Sequence, residues 1–320
     1  MKAAVVSAFD SVPAYQDFDE PVASSEVEQI VEVIAAGLHP RVRSQADGTH
    51  YTSTDELPLV PGIDGVGRTA DGSLRYFVLP DTVLGSMAER TLIDVRRSIA
   101  LPETVDPIAV AAAMNPAMSS WVALRQRISF QPGQSVLILG ATGNAGRMAV
   151  QVAKLFGADR IVAAARDTAR LAELPELGAT DTVRLGDATA LGKTAADVDV
   201  VIDYLWGDPT AAAMAALVTQ RPDRAKPLSW MQIGSVAGAT APIPSAALRA
   251  SRLQIVGSGQ GSVGTREILA ELPALATEIG RGTFDIDAQP VPLSEVETAW
   301  SESAHTTRRI VLTPELTPRA

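Results

Sequence analysis

Residues 135–157 constrain the fold more than any other stretch, because an apolar run, a glycine-rich turn and an amphipathic pattern follow one another without a break. The run is typical of a strand buried in a parallel sheet. Gly140, Gly143 and Gly146 follow at three-residue spacing, and apolar residues then recur at helical spacing up to Gly157, a position suited to a helix C-cap. A helix that begins in such a turn directs free N–H groups at an anion. We therefore expect a pyrophosphate-binding turn with a dinucleotide as its ligand.

Arg166 narrows the choice of dinucleotide. It follows the second apolar run, residues 161–165, where an NAD-binding unit usually places Asp or Glu for the ribose hydroxyls. A guanidinium pairs with a 2′-phosphate but cannot accept a hydrogen bond from a hydroxyl, so NADP(H) is favoured over NAD(H). Three alternatives stay open: Asp167 as a ribose ligand, Arg170 as the phosphate-binding cation, and Arg166 as a solvated loop residue.

Length and composition limit the function classes. A chain of 320 residues with 46% hydrophobic content is long enough for two domains, and a formal net charge of −10 argues against general nucleic-acid binding. We find no apolar span that suggests a membrane helix, and Met1 leads into strand-like sequence, so a cytoplasmic location is expected. Because the chain has no Cys and three His, a thiol nucleophile is excluded and a catalytic zinc site is not expected.

Strand-like and helix-like patterns predict the domain organisation. Residues 1–118 form a β-rich domain that ends in an Ala-rich helical stretch interrupted at Asn115-Pro116. Residues 119–264 alternate strands with helices, which predicts an α/β fold with a doubly wound parallel sheet. Residues 265–320 begin with a helix and return to the first domain.

Other motifs are weaker. Residues 259–264 satisfy G-x-G-x-x-G literally, but too little chain follows for further parallel strands, so we interpret them as a glycine-rich loop near the cofactor. No Tyr is followed four positions later by Lys, and no G-x-S-x-G occurs, which argues against a short-chain dehydrogenase and against a hydrolase with a nucleophile elbow.

Five segments together resemble one known family. The segments are residues 36–40, 61–67, 85–89, 131–138 and 140–146. They have the same order and spacing as the motifs of that family. The chain resembles the medium-chain dehydrogenase/reductase superfamily, and within it the zinc-independent quinone oxidoreductase branch that includes zeta-crystallin. Where zinc-dependent relatives carry a Cys and a His ligand, this sequence has His39 and Ile63, a departure that supports a metal-free enzyme.

The resemblance implies a GroES-like β-barrel domain built from both chain ends, a Rossmann domain, bound NADPH and a homodimer. It implies a small-molecule quinone or carbonyl substrate, with no nucleic-acid or membrane partner. The cofactor-binding residues that it implies include those of the glycine turn and Arg166. They are Ala141, Thr142, Gly143, Asn144, Ala145, Gly146, Arg166, Ser119, Asp203, Ile233, Gly234, Gly257, Ser258 and Arg308, with Arg309 as an alternative to Arg308.

The expected reaction is hydride transfer from NADPH to a quinone, an α,β-unsaturated carbonyl or a related carbonyl, with a donor for the oxygen. Tyr51 and His39 are the candidate catalytic donors, although Tyr51 could instead form an apolar wall and His39 could instead shape a turn. Two alternatives remain: a metal-free alcohol dehydrogenase, and a cofactor-binding structural or redox-sensing protein with little turnover.

Overall fold

The structure is a computed structural model that describes residues 1–315. The chain forms two compact units, one made of Met1–Asn115 with the segment from Leu269 onward, the other of Pro116–Ile268. The boundaries predicted after residues 118 and 264 lie a few residues from these divisions. Each unit has its own sheet and its own core, and each is described separately below.

The strands and helices, each numbered along the chain, have the following bounds. The strands are β1 Lys2–Val5, β2 Ala14–Asp17, β3 Glu28–Gly37, β4 Asp64–Arg68, β5 Leu74–Val78, β6 Arg90–Asp94, β7 Ser98–Ala100, β8 Ser135–Leu139, β9 Arg160–Ala165, β10 Asp181–Arg184, β11 Val200–Asp203, β12 Leu228–Gln232, β13 Leu253–Gly257, β14 Ala288–Pro292 and β15 Arg309–Thr313. The helices are α1 Pro40–Ala46, α2 Pro107–Val122, α3 Asn144–Leu155, α4 Thr168–Leu171, α5 Leu174–Leu177, α6 Ala188–Ala195, α7 Gly207–Gln220, α8 Ser245–Ala250, α9 Thr265–Gly280 and α10 Val296–Glu302.

The second unit is a doubly wound parallel sheet. Its six strands lie in the order β10-β9-β8-β11-β12-β13, and every pairing is parallel. The chain moves outward from β8 in one direction and then in the other, so the topology switches between β8 and β11. In such sheets the ligand binds at the carboxyl ends of the strands beside this switch point. The predicted α/β fold class is confirmed.

The core of this unit comes from strands that are apolar on both faces. Leu137 and Leu139 of β8, Val201 of β11 and Trp230 of β12 are fully buried. In α3 the predicted apolar stripe is correct at Met148 and Val152, which are buried, but wrong at Leu155, which is 39% exposed. Leu155 is the last residue of the helix, which Phe156 and Gly157 then end.

The first unit is built on a sheet that both ends of the chain share. Its strand order is β14-β15-β3-β4-β5-β7, with β6 paired to β3, and β1 and β2 form a separate antiparallel pair. Strand β15 is antiparallel to β3, with Leu312 opposite Ala36, so the last strands complete a sheet that the first strands begin. Val31 and Leu312 are buried in its core beside Trp300 of α10.

Helix α2 corrects two expectations. It continues through Pro116 instead of breaking there, and a π-helical turn, Ala123–Arg127, extends it. The resulting 21-residue segment, Pro107–Arg127, is long and apolar enough to cross a membrane, contrary to the sequence-based expectation. In its most apolar window, 67% is buried inside the protein. The segment is therefore apolar as a helix that packs in a protein core is.

Candidate functional site

The carboxyl ends of the parallel strands form one row in the second unit. Leu139 of β8 is in register with Asp203 of β11, Asp203 with Gln232 of β12, and Gln232 with Gly257 of β13. On the other side of β8, Leu139 pairs with Ala164 of β9. Several predicted cofactor residues end these strands or follow them directly, namely Ala141, Arg166, Asp203, Ile233, Gly234, Gly257 and Ser258. The fold therefore brings residues up to about a hundred positions apart to one edge of the sheet.

The glycine turn forms a cradle at the start of α3. Gly140 has a φ of +86°, which favours glycine. A Cβ on Gly146 would overlap the carbonyl oxygen of Gly140 and lie 2.6 Å from Cα of Ala141, so glycine is needed for the helix to approach the turn. A Cβ on Gly143 would meet no atom closer than Gly140 O at 3.6 Å, so open space lies above it.

The first turn of α3 offers donors to that space. Its N-cap, Gly143, is exposed and supplies no side-chain acceptor, so the helix N–H groups are available to an anion. Thr142, Asn144 and Ala145 are half-buried at its rim, whereas Ala141 and Gly146 are buried beneath it. This arrangement fits a pyrophosphate.

Arg166 and Asp167 differ in how they are engaged. Arg166 is exposed and makes no hydrogen bond or ion pair within residues 1–315. Asp167 caps α4, where its Oδ1 accepts from the backbone nitrogens of Ala169 at 3.0 Å and Arg170 at 3.1 Å. The carboxylate is thus used in holding the helix, and the guanidinium beside it is free to meet a phosphate.

Asp203 organises the loop after β11. It is fully buried, and its Oδ1 accepts from the backbone nitrogens of Leu205 at 2.9 Å and Trp206 at 3.1 Å. Its Oδ2 accepts from Thr210 Oγ1 at 2.6 Å and Trp230 Nε1 at 2.9 Å. All four contacts go to protein donors, so the structure shows Asp203 positioning the loop instead of facing a ligand directly.

Tyr204 and Ser119 form a hydrogen-bonded pair beside the switch point. Ser119 Oγ donates to the carbonyl of Pro116 at 2.7 Å, so the Tyr204 hydroxyl, 2.9 Å away, donates to Ser119 Oγ. Burial raises the pKa of Tyr204 to about 12, against a smaller lowering by its hydrogen bonding with Ser119 and Ser120. Tyr204 is therefore a neutral donor that orients the half-buried Ser119.

The segments after β12 and β13 complete the edge. The backbone nitrogens of Ile233 and Gly234 both donate to Asp203 O, and a Cβ on Gly234 would lie 2.6 Å from Tyr204 O. Gly257 has open space around its Cα and accepts a 2.8 Å hydrogen bond from Arg127 Nε, while Ser258 N donates to Gln232 O. The 259–264 loop follows directly and leads into α9, in agreement with its interpretation as a loop beyond the strand edge.

His39 belongs to a buried polar group in the first unit. It is 3% exposed, and its Nε2 lies 3.2 Å from Asp64 Oδ1, while Tyr76 donates to Asp64 Oδ2 at 2.7 Å. Burial lowers the pKa of His39 despite the opposing effect of Asp64, and burial lowers the pKa of the neighbouring Arg309 to about 10. The buried ring therefore uses its Nε2 to contact Asp64 of the protein interior.

Tyr51 lies in the turn after α1 and is 75% exposed. Its ring packs against that of His50, with centroids 4.2 Å apart. His50 was not among the predicted site residues. Its Nδ1 lies 3.0 Å from Thr52 Oγ1, two residues further along the chain.

Arg308 is engaged within the first unit. Its Nε donates to Asp287 Oδ1 at 2.8 Å and its terminal nitrogen to Ala288 O at 2.9 Å. Arg309 is buried and donates to Leu38 O at 2.9 Å. Contact of Arg308 with the cofactor therefore stays a prediction that would require the Asp287 pair to open.

Among residues 1–315, no three His, Asp or Glu side chains come close enough together to hold a metal ion. With no Cys in the chain, thiolate ligands are also excluded.

Known proteins share both the sequence and the fold. A family model described as zinc-binding dehydrogenase matches residues 145–276, which include most of the parallel sheet. A probable NADPH-dependent quinone reductase of Emericella nidulans is 28% identical, over 98% of this chain and 100% of that protein.

Two solved structures cover the chain at similar extent. The quinone oxidoreductase of Thermus thermophilus, described also in its complex with NADPH, is 26% identical with a TM-score of 0.84, over 98% of this chain and 100% of its own. The Escherichia coli quinone oxidoreductase in complex with NADPH has a TM-score of 0.83 over 98% of this chain and 100% of its own, and at 20% identity it supports the fold alone. The resemblance noted from the five sequence segments is confirmed.

Proposed function

The chain belongs to the medium-chain dehydrogenase/reductase superfamily, of the zinc-independent quinone oxidoreductase type, and we propose that it reduces a quinone or an α,β-unsaturated carbonyl with NADPH. The bound cofactor would supply the hydride. What this chain's residues contribute is the binding of its phosphates, the orientation of groups beside it, and a donor for the substrate oxygen.

The glycine turn and Arg166 are assigned to the phosphates. The uncapped N-terminus of α3 and the open space at Gly143 suit the pyrophosphate, where helix N–H groups stabilise negative charge. Arg166, exposed and without a partner in the described part of the chain, suits the 2′-phosphate that distinguishes NADPH from NADH. The unengaged guanidinium at the end of β9 is the observation that carries the proposal.

The remaining strand-edge residues are assigned to the nicotinamide half. Ser119, oriented by Tyr204, offers a polar group, and the backbone at Ile233, Gly234, Gly257 and Ser258 offers surfaces without bulky side chains. Asp203 acts through the loop that it holds. These roles support binding and alignment, which position a substrate carbon for hydride transfer.

Substrate chemistry follows from the groups in the first unit. A quinone or enone delocalises the charge left on its oxygen, so the reaction needs a hydrogen-bond donor and a proton from water or a hydroxyl, and no strong base. Of the two donors predicted from sequence, Tyr51 is favoured because it is 75% exposed, whereas His39 is 3% exposed and turned to Asp64. A homodimer and a cytoplasmic location stay predictions, and light scattering would test the first.

The test is oxidation of NADPH and NADH by the purified protein against 1,4-benzoquinone, 9,10-phenanthrenequinone, an enone and an aldehyde. We expect turnover of a quinone or the enone with NADPH. Arg166→Ala should raise KM for NADPH about tenfold or more while leaving KM for NADH unchanged, because a charged hydrogen bond to the phosphate contributes about 1.5–3 kcal/mol.

Arg252→Ala is the matched control. Arg252 is also exposed, but it precedes β13 and so lies at the opposite, amino edge of the sheet. Equal losses in the two variants would contradict the role of Arg166. Tight NADPH binding without turnover of any acceptor would instead favour the alternative of a cofactor-binding protein with little activity.

A further inference from the structure

Trp206 has a backbone conformation that residues with a side chain rarely adopt. Its φ is +56° and its ψ is −165°, a combination found almost only at glycine, because a Cβ crowds the backbone there. Within residues 1–315, the other non-glycine residue with a positive φ is Asp10, whose short polar side chain tolerates such a turn. Backbone strain of this kind clusters at functional sites. A bulky indole at this position therefore calls for a physical reason.

The loop that carries Trp206 is fixed by a buried carboxylate. Asp203 Oδ1 accepts from the backbone nitrogens of Leu205 at 2.9 Å and Trp206 at 3.1 Å, and Asp203 is completely buried. The next residue, Gly207, also has a positive φ, of +69°, which costs little at a glycine. The hydrogen bonds to Asp203 thus hold Trp206 in a conformation that its own side chain disfavours.

This loop lies between the two segments assigned to the cofactor in the parallel-sheet unit. On one side, a Cβ on Gly140 would lie 3.1 Å from Leu205 Cδ2, so Leu205 covers the first glycine of the phosphate-binding turn. On the other side is the segment after β12, where Ala237 N donates to Leu205 O at 2.8 Å. A Cβ on Gly207 would lie 2.7 Å from Ala237 O. Trp206 therefore lies at the carboxyl edge of the sheet, between the pyrophosphate turn and the segment assigned to the nicotinamide.

The indole of Trp206 differs from the other tryptophans in its surroundings. It is half-buried, and within residues 1–315 it stacks on no other ring and its Nε1 makes no hydrogen bond. The core cluster that contains Leu139 includes Leu205 at its margin but not Trp206. The other three tryptophans are buried and each has a partner in the protein, namely Asp203 for Trp230, Phe156 for Trp121 and Arg43 for Trp300.

A bound dinucleotide supplies the kind of surface that this indole lacks in the protein. Adenine and nicotinamide are both planar aromatic rings, and such rings stack on an indole face. We propose that Trp206 stacks on one of the two aromatic rings of bound NADPH and thereby positions the cofactor. The inference rests on the proposed function, because it concerns the same cofactor site. The strained backbone at Trp206 then serves binding, not folding, and these two roles can be measured separately.

Three substitutions in the full-length protein separate stacking from packing. Trp206→Phe keeps an aromatic face, Trp206→Leu keeps an apolar side chain without one, and Trp206→Gly removes the side chain and relieves the backbone. In calorimetric titration with NADP⁺, Trp206→Phe should retain most of the affinity, while Trp206→Leu and Trp206→Gly should weaken binding about 5- to 100-fold. Leu248→Ala, at a 47% exposed apolar residue of α8, is the control and should bind as the wild type does. Equal losses in Trp206→Phe and Trp206→Leu would contradict contact with an aromatic face.

Thermal unfolding without cofactor tests the packing alternative. Because glycine adopts this backbone conformation without strain, the midpoint of Trp206→Gly should equal or exceed that of the wild type. A lower midpoint in Trp206→Gly together with unchanged NADP⁺ affinity would assign the ring to packing and overturn the proposal.

Tryptophan fluorescence gives a readout that is independent of turnover. The chain has four Trp, so the difference between the wild type and Trp206→Phe isolates the emission of Trp206. NADP⁺ is the probe because, unlike NADPH, it does not absorb tryptophan emission, so quenching reports contact. We expect NADP⁺ to quench Trp206. Adenosine 2′,5′-bisphosphate lacks the nicotinamide, so quenching by it identifies adenine as the stacked ring, and quenching by NADP⁺ alone identifies the nicotinamide.

The outcomes distinguish the two proposals. If the wild type binds NADP⁺ and neither compound quenches Trp206, or if Trp206→Leu binds NADP⁺ as tightly as the wild type, the stacking role is overturned while the proposed function stands. If the wild type binds neither NADP⁺ nor NADPH, the proposed function is overturned and the role of Trp206 with it.

Discussion

Trp230 Nε1 donates a 2.9 Å hydrogen bond to Asp203 Oδ2, and both side chains are completely buried on neighbouring strands. The same carboxylate holds the loop after β11 and the start of α7 through Leu205, Trp206 and Thr210. One buried anion thus connects the centre of the parallel sheet to the loop beside the switch point.

Replacing Asp203 should therefore destabilise the fold. Asp203→Ala leaves four donors without their acceptor, two of them buried side-chain groups, and each buried unsatisfied donor costs about 1–3 kcal/mol. We expect the free energy of unfolding to fall by more than about 3 kcal/mol in urea denaturation. Asp208→Ala, at an exposed site in the first turn of α7, should cost about 1 kcal/mol or less. Similar losses in the two variants would refute the bridging role.

Substitutions at Gly143 and Gly146 should have different effects on folding and on NADPH binding. Gly146→Ala places a Cβ against backbone atoms of Gly140 and Ala141, so it should lower both thermal stability and NADPH affinity. A Cβ on Gly143 would make only an ordinary contact, and the φ of Gly143 is −74°, so Gly143→Ala should leave stability unchanged. Its methyl group should fill the cradle and weaken NADPH binding about tenfold or more. Calorimetry and fluorescence titration measure the two effects. Unchanged NADPH affinity in Gly143→Ala would place the pyrophosphate elsewhere.

Local patterns explain what the sequence predicts well. The apolar run, the glycine spacing and Arg166 are all contained in about thirty consecutive residues, so their arrangement follows from short-range rules for strands, turns and helices. The prediction of a doubly wound parallel sheet required only the alternation of strands and helices.

Long-range pairing explains what the sequence does not predict. Asp81 accepts hydrogen bonds from Arg41, 40 positions away, and from Thr52, 29 positions away, so this arrangement exists only after folding. His39 is buried by its contact with Asp64, 25 positions away, which no local pattern reveals. Pro116 suggests a helix break because it lacks an N–H, yet the residues around it pack into the core and keep the helix continuous.

Tyr204 should remain protonated far into the alkaline range. Burial raises its pKa to about 12, above the ordinary value of about 10. Because the unfolded chain loses this proton first, the contribution of Tyr204 to stability is complete below about pH 10 and is lost as pH rises toward about 12. Ultraviolet titration should show the same phenolate signal in the wild type and in Tyr204→Phe up to about pH 10. A difference between them below pH 10 would show that the hydroxyl is less buried than the structure indicates.

His39 should make the protein less stable in mild acid. Burial is the main cause that lowers its pKa, so the unfolded chain binds a proton more readily than the folded protein does. The stability that this provides is complete above about pH 6.5 and is lost as pH falls through the lower, folded-state pKa, with a slope of at most about 1.4 kcal/mol per pH unit for one proton. Urea denaturation between pH 7 and pH 5 should show a smaller decline in His39→Gln than in the wild type, and His305→Gln, at an exposed position, serves as the control. An identical decline in His39→Gln and the wild type would mean that the ring takes up its proton as easily in the folded protein as in the unfolded chain.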